Sequence, residues 1–148
     1  MCIKYFDMFA GIGGFRSGLT RAGGFTCIGY CENDKYAKKA YEAIYDTEGE
    51  NFYEDARTIQ PENLPDFDLL CGGFPCQAFS IAGKRGGFGD SRGTLFFEIA
   101  RIARVKRPAF LCLENVPGLL SHDKGRTFQT ILTALYELGY DVAWQVLN

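Results

Sequence analysis

The residue best suited to covalent chemistry is Cys76, in the segment Cys71-Gly-Gly-Phe-Pro-Cys-Gln-Ala-Phe-Ser80. The apolar run Phe67 to Cys71 predicts a buried strand that stops at two glycines, which let the chain turn, and Pro75 then fixes the backbone before the thiol. A thiol in this place follows the carboxyl end of a strand, where open α/β sheets bind their ligands. A nucleophile is one interpretation, and a small buried hydrophobic residue is the alternative.

A second group of residues near the amino terminus predicts a nucleotide-like ligand. A strand candidate, Ile3 to Met8, is followed by Gly11-Ile-Gly-Gly14 and then by a helical pattern. Glycines allow a ligand to approach the backbone closely, and the helix start offers free N–H groups. Arg16 stands where the dinucleotide fingerprint has its third glycine or an alanine, so that fingerprint is not met.

Two acidic residues narrow the choice of ligand. Glu32 ends the second strand candidate, where a carboxylate can accept hydrogen bonds from both hydroxyls of a ribose. Asp55 follows a third, short strand candidate and can accept from an adenine amino group. A nucleoside without a diphosphate suits this set, so S-adenosylmethionine fits better than NAD. Each acid has the alternative role of a helix cap or a solvated loop residue.

The elements that position these residues alternate between strand and helix. Hydrophobic periodicity predicts strands at 3–8, 25–31, 53–56, 67–71, 110–113 and 140–147, and helices at 15–22, 34–45, 95–106 and 127–138. The strand at 110–113 is, like that at 67–71, expected to be buried. Such alternation is typical of βαβ units and a mostly parallel sheet with helices on both faces, in one α/β domain over residues 1–148. The segment 83–93 contains five glycines and is expected to be a mobile loop.

Composition is that of an ordinary globular domain, with 47% apolar and 23% charged residues in 148. The amino terminus does not have the order of a secretory signal, so the cytoplasm is the expected location. Four of the six cysteines (Cys27, Cys31, Cys71 and Cys112) lie in apolar segments, which favours reduced thiols. A zinc site is not expected, because no Cys-x-x-Cys pair occurs and His122 is the only histidine.

Charge is unevenly distributed, although the net charge is only −2. Between positions 84 and 107 the sequence has only two acidic residues, Asp90 and Glu98, but seven basic ones. The basic residues are Lys84, Arg85, Arg92, Arg101, Arg104, Lys106 and Arg107. A basic region next to a reactive thiol suits a phosphate-bearing substrate. A solvated helix face is an equally good interpretation.

With these residues assembled, the chain resembles the cytosine-C5 DNA methyltransferases, above all the bacterial modification methylases. The resemblance runs over essentially the whole chain. Asp7 to Phe15 resembles the first cofactor motif of that family, and Gly73-Phe-Pro-Cys-Gln77 resembles its nucleophile motif. Gly86 to Thr94 is similar to the loop that closes on DNA, and Glu114-Asn-Val116 to the motif that supplies an acid. Pro-Cys-Gln followed by Glu-Asn-Val is a highly specific combination.

The resemblance implies a Rossmann-like methyltransferase fold, incomplete at its carboxyl end, and a role for each matching residue. Cys76 and Glu114 would be catalytic. Gln77, Ser80 and Arg92 would contact double-stranded DNA. The S-adenosylmethionine site would contain Phe9, Ala10, Gly11, Ile12, Gly14, Glu32, Asn33, Asp55, Ala56, Pro75 and Leu95. The implied location is the bacterial nucleoid, with neither a metal nor a membrane involved.

Two departures from the family pattern stand out. Asn33 replaces an aromatic residue that many members stack on adenine, so cofactor binding is weaker or another side chain stacks. The family's motif with a glutamine and two arginines, its target recognition domain and its carboxyl-terminal segment have no match here. A complementing chain or self-association is therefore expected, because the sheet would otherwise expose apolar surface. The rival functions are a catalytically incomplete subunit and a NAD-type oxidoreductase, which the missing third glycine disfavours.

The chemistry follows from the reactivity of cytosine. A thiolate that adds to C6 makes C5 nucleophilic toward a methyl donor, and a proton donor near N3 stabilises the charge that develops there. Glu114 is expected to be that donor, and partial burial would favour its protonated form. A base inside a duplex cannot be attacked in this way, so it must be flipped out, at a cost of a few kcal/mol.

Overall fold

The computed structural model describes residues 2–75 and 95–147. Within them lie five strands: β1 (Ile3–Met8), β2 (Phe25–Cys31), β3 (Asn51–Tyr53), β4 (Leu69–Gly73) and β5 (Phe110–Glu114). The α-helices of this part are α1 (Gly14–Ala22), α2 (Lys35–Ile44), α3 (Leu95–Lys106) and α4 (Arg126–Glu137). Short 3₁₀ turns occupy Ala56–Thr58, Pro61–Asn63, Pro117–Leu120 and His122–Gly125. The four helix predictions are confirmed to within two residues at each end.

The five strands form one parallel sheet in the order β3-β2-β1-β4-β5. The chain runs outward from β1 to β3, and then crosses to the other side of β1 for β4 and β5. The strand order therefore reverses between β1 and β4, and sheets of this kind bind their ligands beyond the carboxyl ends of the strands at such a point. The expected Rossmann-like parallel sheet is confirmed.

Helices cover both faces of the sheet, because successive side chains of a strand point in opposite directions. Phe6 belongs to a core cluster that includes Ile99 of α3 and Leu135 of α4. Its neighbour Tyr5 lies in a second cluster, packed against Phe15 and Leu19 of α1. The centre of the sheet is therefore buried on both sides, and this gives its carboxyl-terminal edge a rigid base.

The glycines after the fourth strand candidate have a different role from the predicted turn. Gly72 and Gly73 belong to β4 and pair with Leu113 and Glu114 of β5. A Cβ atom on Gly72 would lie 2.9 Å from Cδ1 of Ile99, too close for a real contact. These glycines therefore let a helix and a neighbouring side chain approach the strand, and the strand boundary moves from Cys71 to Gly73.

Three strand predictions need correction near the sheet edges. β3 spans Asn51–Tyr53 instead of 53–56. β5 is an edge strand and is not buried, since Phe110 is 62% exposed. Residues 140–147 form no strand, and within the described chain they have no partner strand with which to share hydrogen bonds. The apolar composition of this segment suggested a strand, but a strand also needs a neighbouring strand to pair with, and composition does not reveal whether one is present.

Candidate cofactor and catalytic site

The turn between β1 and α1 is fixed by its own backbone. Ala10 N–H donates to Cys31 O at 3.0 Å, and Gly13 N–H donates to Ala10 O at 2.8 Å. Gly11 and Gly13 have φ values of 56° and 93°, which glycine adopts without strain. Phe9 also has a positive φ, 55°, and a strained residue of this kind is typical of ligand sites. Open space lies beside Gly11 and Gly14, since an added Cβ at either position would meet no atom of the described residues within 4 Å.

Glu32 joins this turn to the end of β2. Its side chain is buried, with Oε2 accepting from Gly11 N–H and Oε1 accepting from Asp34 N–H, both at 2.7 Å. Each carboxylate oxygen has a further lone pair, so two more donors can be accommodated. Glu32 N–H donates to Tyr53 O at 3.1 Å, which brings the end of β3 to the same place. The predicted ribose acid is thus held rigidly at the edge of three strands.

Asp55 lies just after β3 and is already partnered. Its carboxylate accepts from the guanidinium of Arg57 at 2.8 Å and from Arg57 N–H at 2.9 Å. These hydrogen bonds from Arg57 hold the pKa of Asp55 below its usual value. The carboxylate is therefore charged at neutral pH. Among the other residues predicted to meet the adenine end of the cofactor, Ala56 is buried and Asn33 is exposed.

The ends of β4 and β5 form the second part of the site. Gly73 and Glu114 are register partners, and a Cβ on Gly73 would lie 3.2 Å from Glu114 Oε2. Asn115 Nδ2 donates to Phe74 O at 2.7 Å, linking the segment after β4 to the segment after β5. The Glu114 carboxyl therefore lies against the backbone three residues before Cys76. The burial that we expected for Glu114 is not found, because its side chain is exposed.

Several predicted residues lie outside the part of the chain that the structure describes. They are Cys76, Gln77, Ser80, Arg92 and the glycine-rich loop at 83–93. Their roles stay predictions. The two predicted cofactor residues that flank this segment are described: Pro75 is exposed, and Leu95 is half-buried at the start of α3.

The described end of the basic segment is occupied by internal contacts. Arg101 Nη1 donates to Ile59 O at 2.8 Å, and its Nε to Glu98 at 2.8 Å. Lys106 donates to Leu64 O at 2.8 Å, and Arg107 Nη1 to Leu138 O at 2.6 Å. These side chains fasten α3 to its surroundings, so they favour neither of the two interpretations that charge alone suggested.

A buried polar network behind the glycine turn was not predicted. Asp7 is fully buried, its Oδ2 accepts from Tyr41 OH at 3.2 Å, and its Oδ1 has no hydrogen-bond partner among the described residues. Burial raises the pKa of Asp7 to about 7, although the hydrogen bond from Tyr41 and the charge of Arg16 oppose this shift. The available signal was an acid within the apolar run Ile3 to Met8.

A cavity of about 530 Å³ lies beside Glu114, on the outer side of β5. Its walls are β5, α4 and the extended segment Tyr140 to Leu147, and aromatic side chains such as Phe110, Phe128 and Trp144 line it. This cavity occupies the open edge of the sheet.

Residues 2–75 and 95–147 contain no candidate metal cluster, disulfide or membrane-spanning helix. No group of three or more His, Cys, Asp or Glu side chains there could hold a metal ion, and its five cysteines are all free thiols. In the same residues, none of the helices has the length and apolarity needed to cross a bilayer.

Comparison with known proteins places this edge in context. The Type II methyltransferase M.NgoBI of Neisseria gonorrhoeae is 50% identical over 145 residues, which are 98% of this chain and 44% of the relative. M.HpaII of Haemophilus parainfluenzae is 54% identical over 93% of this chain and 38% of its own length. The chain thus spans about two fifths of these relatives.

The solved structures agree with the sequence relatives. A prophage-encoded Escherichia coli protein assigned as a DNA modification methyltransferase superposes with a TM-score of 0.69 at 26% identity, over 91% of this chain and 38% of that one. Residues 3–148 match the family described as C-5 cytosine-specific DNA methylase. With the parallel sheet and the acids at its carboxyl-terminal edge, these matches show that the chain belongs to the C-5 cytosine-specific DNA methylase family.

Proposed function

We propose that this chain is the catalytic part of a DNA (cytosine-5-)-methyltransferase, which moves a methyl group from S-adenosylmethionine to C5 of a flipped-out cytosine. The observation that carries the proposal is the arrangement of Glu32 and Glu114. Both lie at the carboxyl-terminal edge of one parallel sheet, on either side of the point where the strand order reverses. This arrangement lets one edge serve a cofactor and a reacting base together.

The cofactor half of the proposal is supported by free space and free acceptors. Gly11 and Gly14 leave room for a ligand against the backbone, and Glu32 retains lone pairs for the two ribose hydroxyls. Phe9, Ala10 and Ile12 complete the turn, while Asn33, Asp55 and Ala56 would meet the adenine. Pro75 and Leu95 would close the site toward the reacting base. S-adenosylmethionine, when bound, supplies an activated methyl group.

The covalent half of the proposal assigns Cys76 as nucleophile. Its thiolate adds to C6 of the cytosine, so an S–C6 bond forms and electron density moves through C5 and N3. Glu114 donates a hydrogen bond or proton to N3 and stabilises that charge. C5 would take the methyl group from the sulfonium, with S-adenosylhomocysteine as the leaving group. The C5 proton then goes to a base, its electron pair re-forms the C5=C6 bond, the S–C6 bond breaks to release the Cys76 thiolate, and any proton held on N3 returns to Glu114. A free thiol ionises near pH 8.5, so local assistance to the thiolate is part of the proposal.

The DNA contacts are assigned to Gln77, Ser80 and Arg92. Extrusion of the base costs a few kcal/mol in lost pairing and stacking. Polar contacts to the vacated duplex and to phosphate would offset that cost. Double-stranded DNA is therefore the proposed macromolecular substrate.

A methyl-transfer assay with Cys76→Ser tests the nucleophile. Tritium from labelled S-adenosylmethionine should pass to mixed-sequence DNA with the unmodified protein and stay at background with the variant, while cofactor binding is retained. The matched control is Cys112→Ser, because Cys112 is an exposed free thiol on β5. Methylation by Cys76→Ser at the normal rate would refute the covalent mechanism.

A second candidate is a subunit that binds cofactor but needs another chain for turnover. The supporting observation is the open edge of β5, where Phe110 is 62% and Leu147 is 76% exposed around the 530 Å³ cavity. Such a patch marks an interaction site. The methyl-transfer assay should be run with and without the protein encoded next to this one. Activity that appears only in the mixture would establish this candidate, and full activity of a monomeric chain would exclude it.

A further inference from the structure

The carbonyl oxygen of Gly13, in the glycine turn, accepts two hydrogen bonds from different elements. It accepts from Ser17 N–H at 2.8 Å, the first hydrogen bond of α1, and from Tyr45 OH at 2.9 Å. Tyr45 lies just past the end of α2, far from the turn in sequence. A distant side chain therefore fixes the junction between the turn and the helix.

The ring of Tyr45 also occupies the space beside Gly13. A Cβ atom on Gly13 would lie 2.3 Å from Cε2 of Tyr45, so any larger residue there would push the Tyr45 ring out of its place. Two features thus favour glycine at position 13, its φ of 93° and the ring packed against it. The hydroxyl group and the ring of Tyr45 restrain the same residue from one side.

Tyr45 is held in turn by Arg16 and Tyr41. The guanidinium of Arg16 lies 4.8 Å from the centre of the Tyr45 ring, and the Tyr41 ring makes an edge contact with it at 5.0 Å. Arg16 is anchored by two hydrogen bonds to Glu50, at 2.7 and 2.8 Å, and by one to Asp46 O at 2.6 Å. The contacts that hold Arg16 and Tyr45 beside the turn are therefore all internal to the chain.

We infer that Tyr45 is a positioning residue for the cofactor: it holds the Gly11–Gly14 turn in its ligand-binding conformation without touching the ligand itself. This inference rests on the proposed cofactor site. Gly13 N–H closes the turn onto Ala10 O, and Gly11 N–H donates to Glu32. Restraint at Gly13 is therefore transmitted to the backbone around Gly11 and to the carboxylate proposed to bind ribose.

The variant Tyr45→Phe removes the hydroxyl group and keeps the ring. A hydrogen bond of this kind contributes about 1 kcal/mol, and 1.4 kcal/mol corresponds to a factor of ten in an equilibrium constant. We expect the Kd for S-adenosylmethionine to rise about three- to tenfold by titration calorimetry. Amide hydrogen exchange in a peptide covering Gly11 to Gly14 should accelerate by a similar factor.

The matched control is Tyr140→Phe. Tyr140 OH donates to the carbonyl of Pro108 at 2.8 Å and is half-buried like Tyr45, but it lies on the β5 side of the molecule. Both variants should lose a similar amount of stability. Only Tyr45→Phe should change cofactor affinity and exchange in the glycine turn, and a purely structural role would move neither beyond the control.

The outcomes separate this inference from the proposed function. If the unmodified protein, tested with any partner it requires, does not bind S-adenosylmethionine, the proposed cofactor site is wrong and the inference falls with it. If the unmodified protein binds and Tyr45→Phe binds equally well, the cofactor site stands and the positioning role is overturned. A weaker affinity with unchanged exchange at Gly11 to Gly14 also overturns it, because the effect would then not pass through the turn.

Discussion

The two ends of the sheet differ in how far their side chains are buried and paired with one another. Around β1 to β3, aromatic rings and ion pairs form a closed network, in which Tyr41 is fully buried and Arg16 is paired with Glu50. Around β5, large apolar side chains face solvent: Phe110, Trp144 and Leu147 are 62%, 58% and 76% exposed. Side chains at the first end are therefore paired with one another, whereas the second end leaves an apolar surface exposed.

The largest effect should come from comparing the truncation of a phenylalanine in the buried core with that of one at the open β5 end. Phe6 is fully buried, with the rings of Tyr53 and Phe67 each at 5.9 Å. Phe6→Ala should lower the free energy of unfolding by about 3–5 kcal/mol, because it leaves a cavity in the core. Phe110→Ala should change it by less than about 0.5 kcal/mol. Urea unfolding of both variants measures the contrast, and equal losses would remove the distinction between the two ends.

The next effect concerns the pH dependence that Asp7 imposes on the closed network. Its pKa is raised from 3.8 to about 7, so between these values the folded chain keeps a proton that the unfolded chain releases. Stability from this group therefore falls as pH rises from about 4 to about 7. Asp7→Asn abolishes the dependence while keeping an acceptor for Tyr41. Across that pH range, the free energy of unfolding of the variant should rise relative to that of the unmodified protein by up to about 4 kcal/mol.

Urea unfolding at pH 4.5, 6 and 8 provides the measurement for Asp7. The control is Glu62→Gln, at an exposed acid of the turn Pro61–Asn63. The difference in free energy of unfolding between Glu62→Gln and the unmodified protein should change much less with pH than the difference for Asp7→Asn. A constant difference between Asp7→Asn and the unmodified protein would show that Asp7 ionises normally in the fold.

The smallest effect compares the helix starts of the two ends. Asp34 caps α2 by accepting from the N–H groups of Tyr36 and Ala37, both at 2.8 Å, whereas α4 begins after Gly125 without a side-chain cap. Asp34→Ala should cost about 1 kcal/mol. Thr133→Ala, on an exposed position of α4, should change stability by less than about 0.5 kcal/mol. Thermal unfolding distinguishes these values, and an unaffected Asp34→Ala would mean that the cap does not stabilise the fold.

The sequence predicted the closed end of the sheet better than the open end. The strand at Ile3–Met8, the glycine turn and the position of Glu32 follow from local patterns, because glycine spacing and strand periodicity act over a few residues. The same reasoning took Phe110 to be buried and 140–147 to be a strand. Apolar composition indicates that burial of a side chain would be favourable, but whether it is buried depends on elements that are distant in the sequence.

The candidate site shows the same division between local and distant information. Glu32 was identified from its place after a strand candidate and Glu114 from its match to a family motif, and the structure puts both at one edge of the sheet. The contact of Tyr45 with Gly13 was missed, since it joins residues 32 positions apart that share no motif. Gly72 was likewise given a turn role, because its contact with Ile99 appears only when α3 packs on the sheet.

The side-chain amide of Asn115 has a consequence for the relative position of the two proposed catalytic groups. Its hydrogen bond to the carbonyl of Phe74 ties the chain two residues before Cys76 to the residue that follows Glu114. Under the proposed function, the polypeptide that leads into the nucleophile is therefore anchored to the strand end that carries the proton donor, and the sheet itself sets where both groups start from.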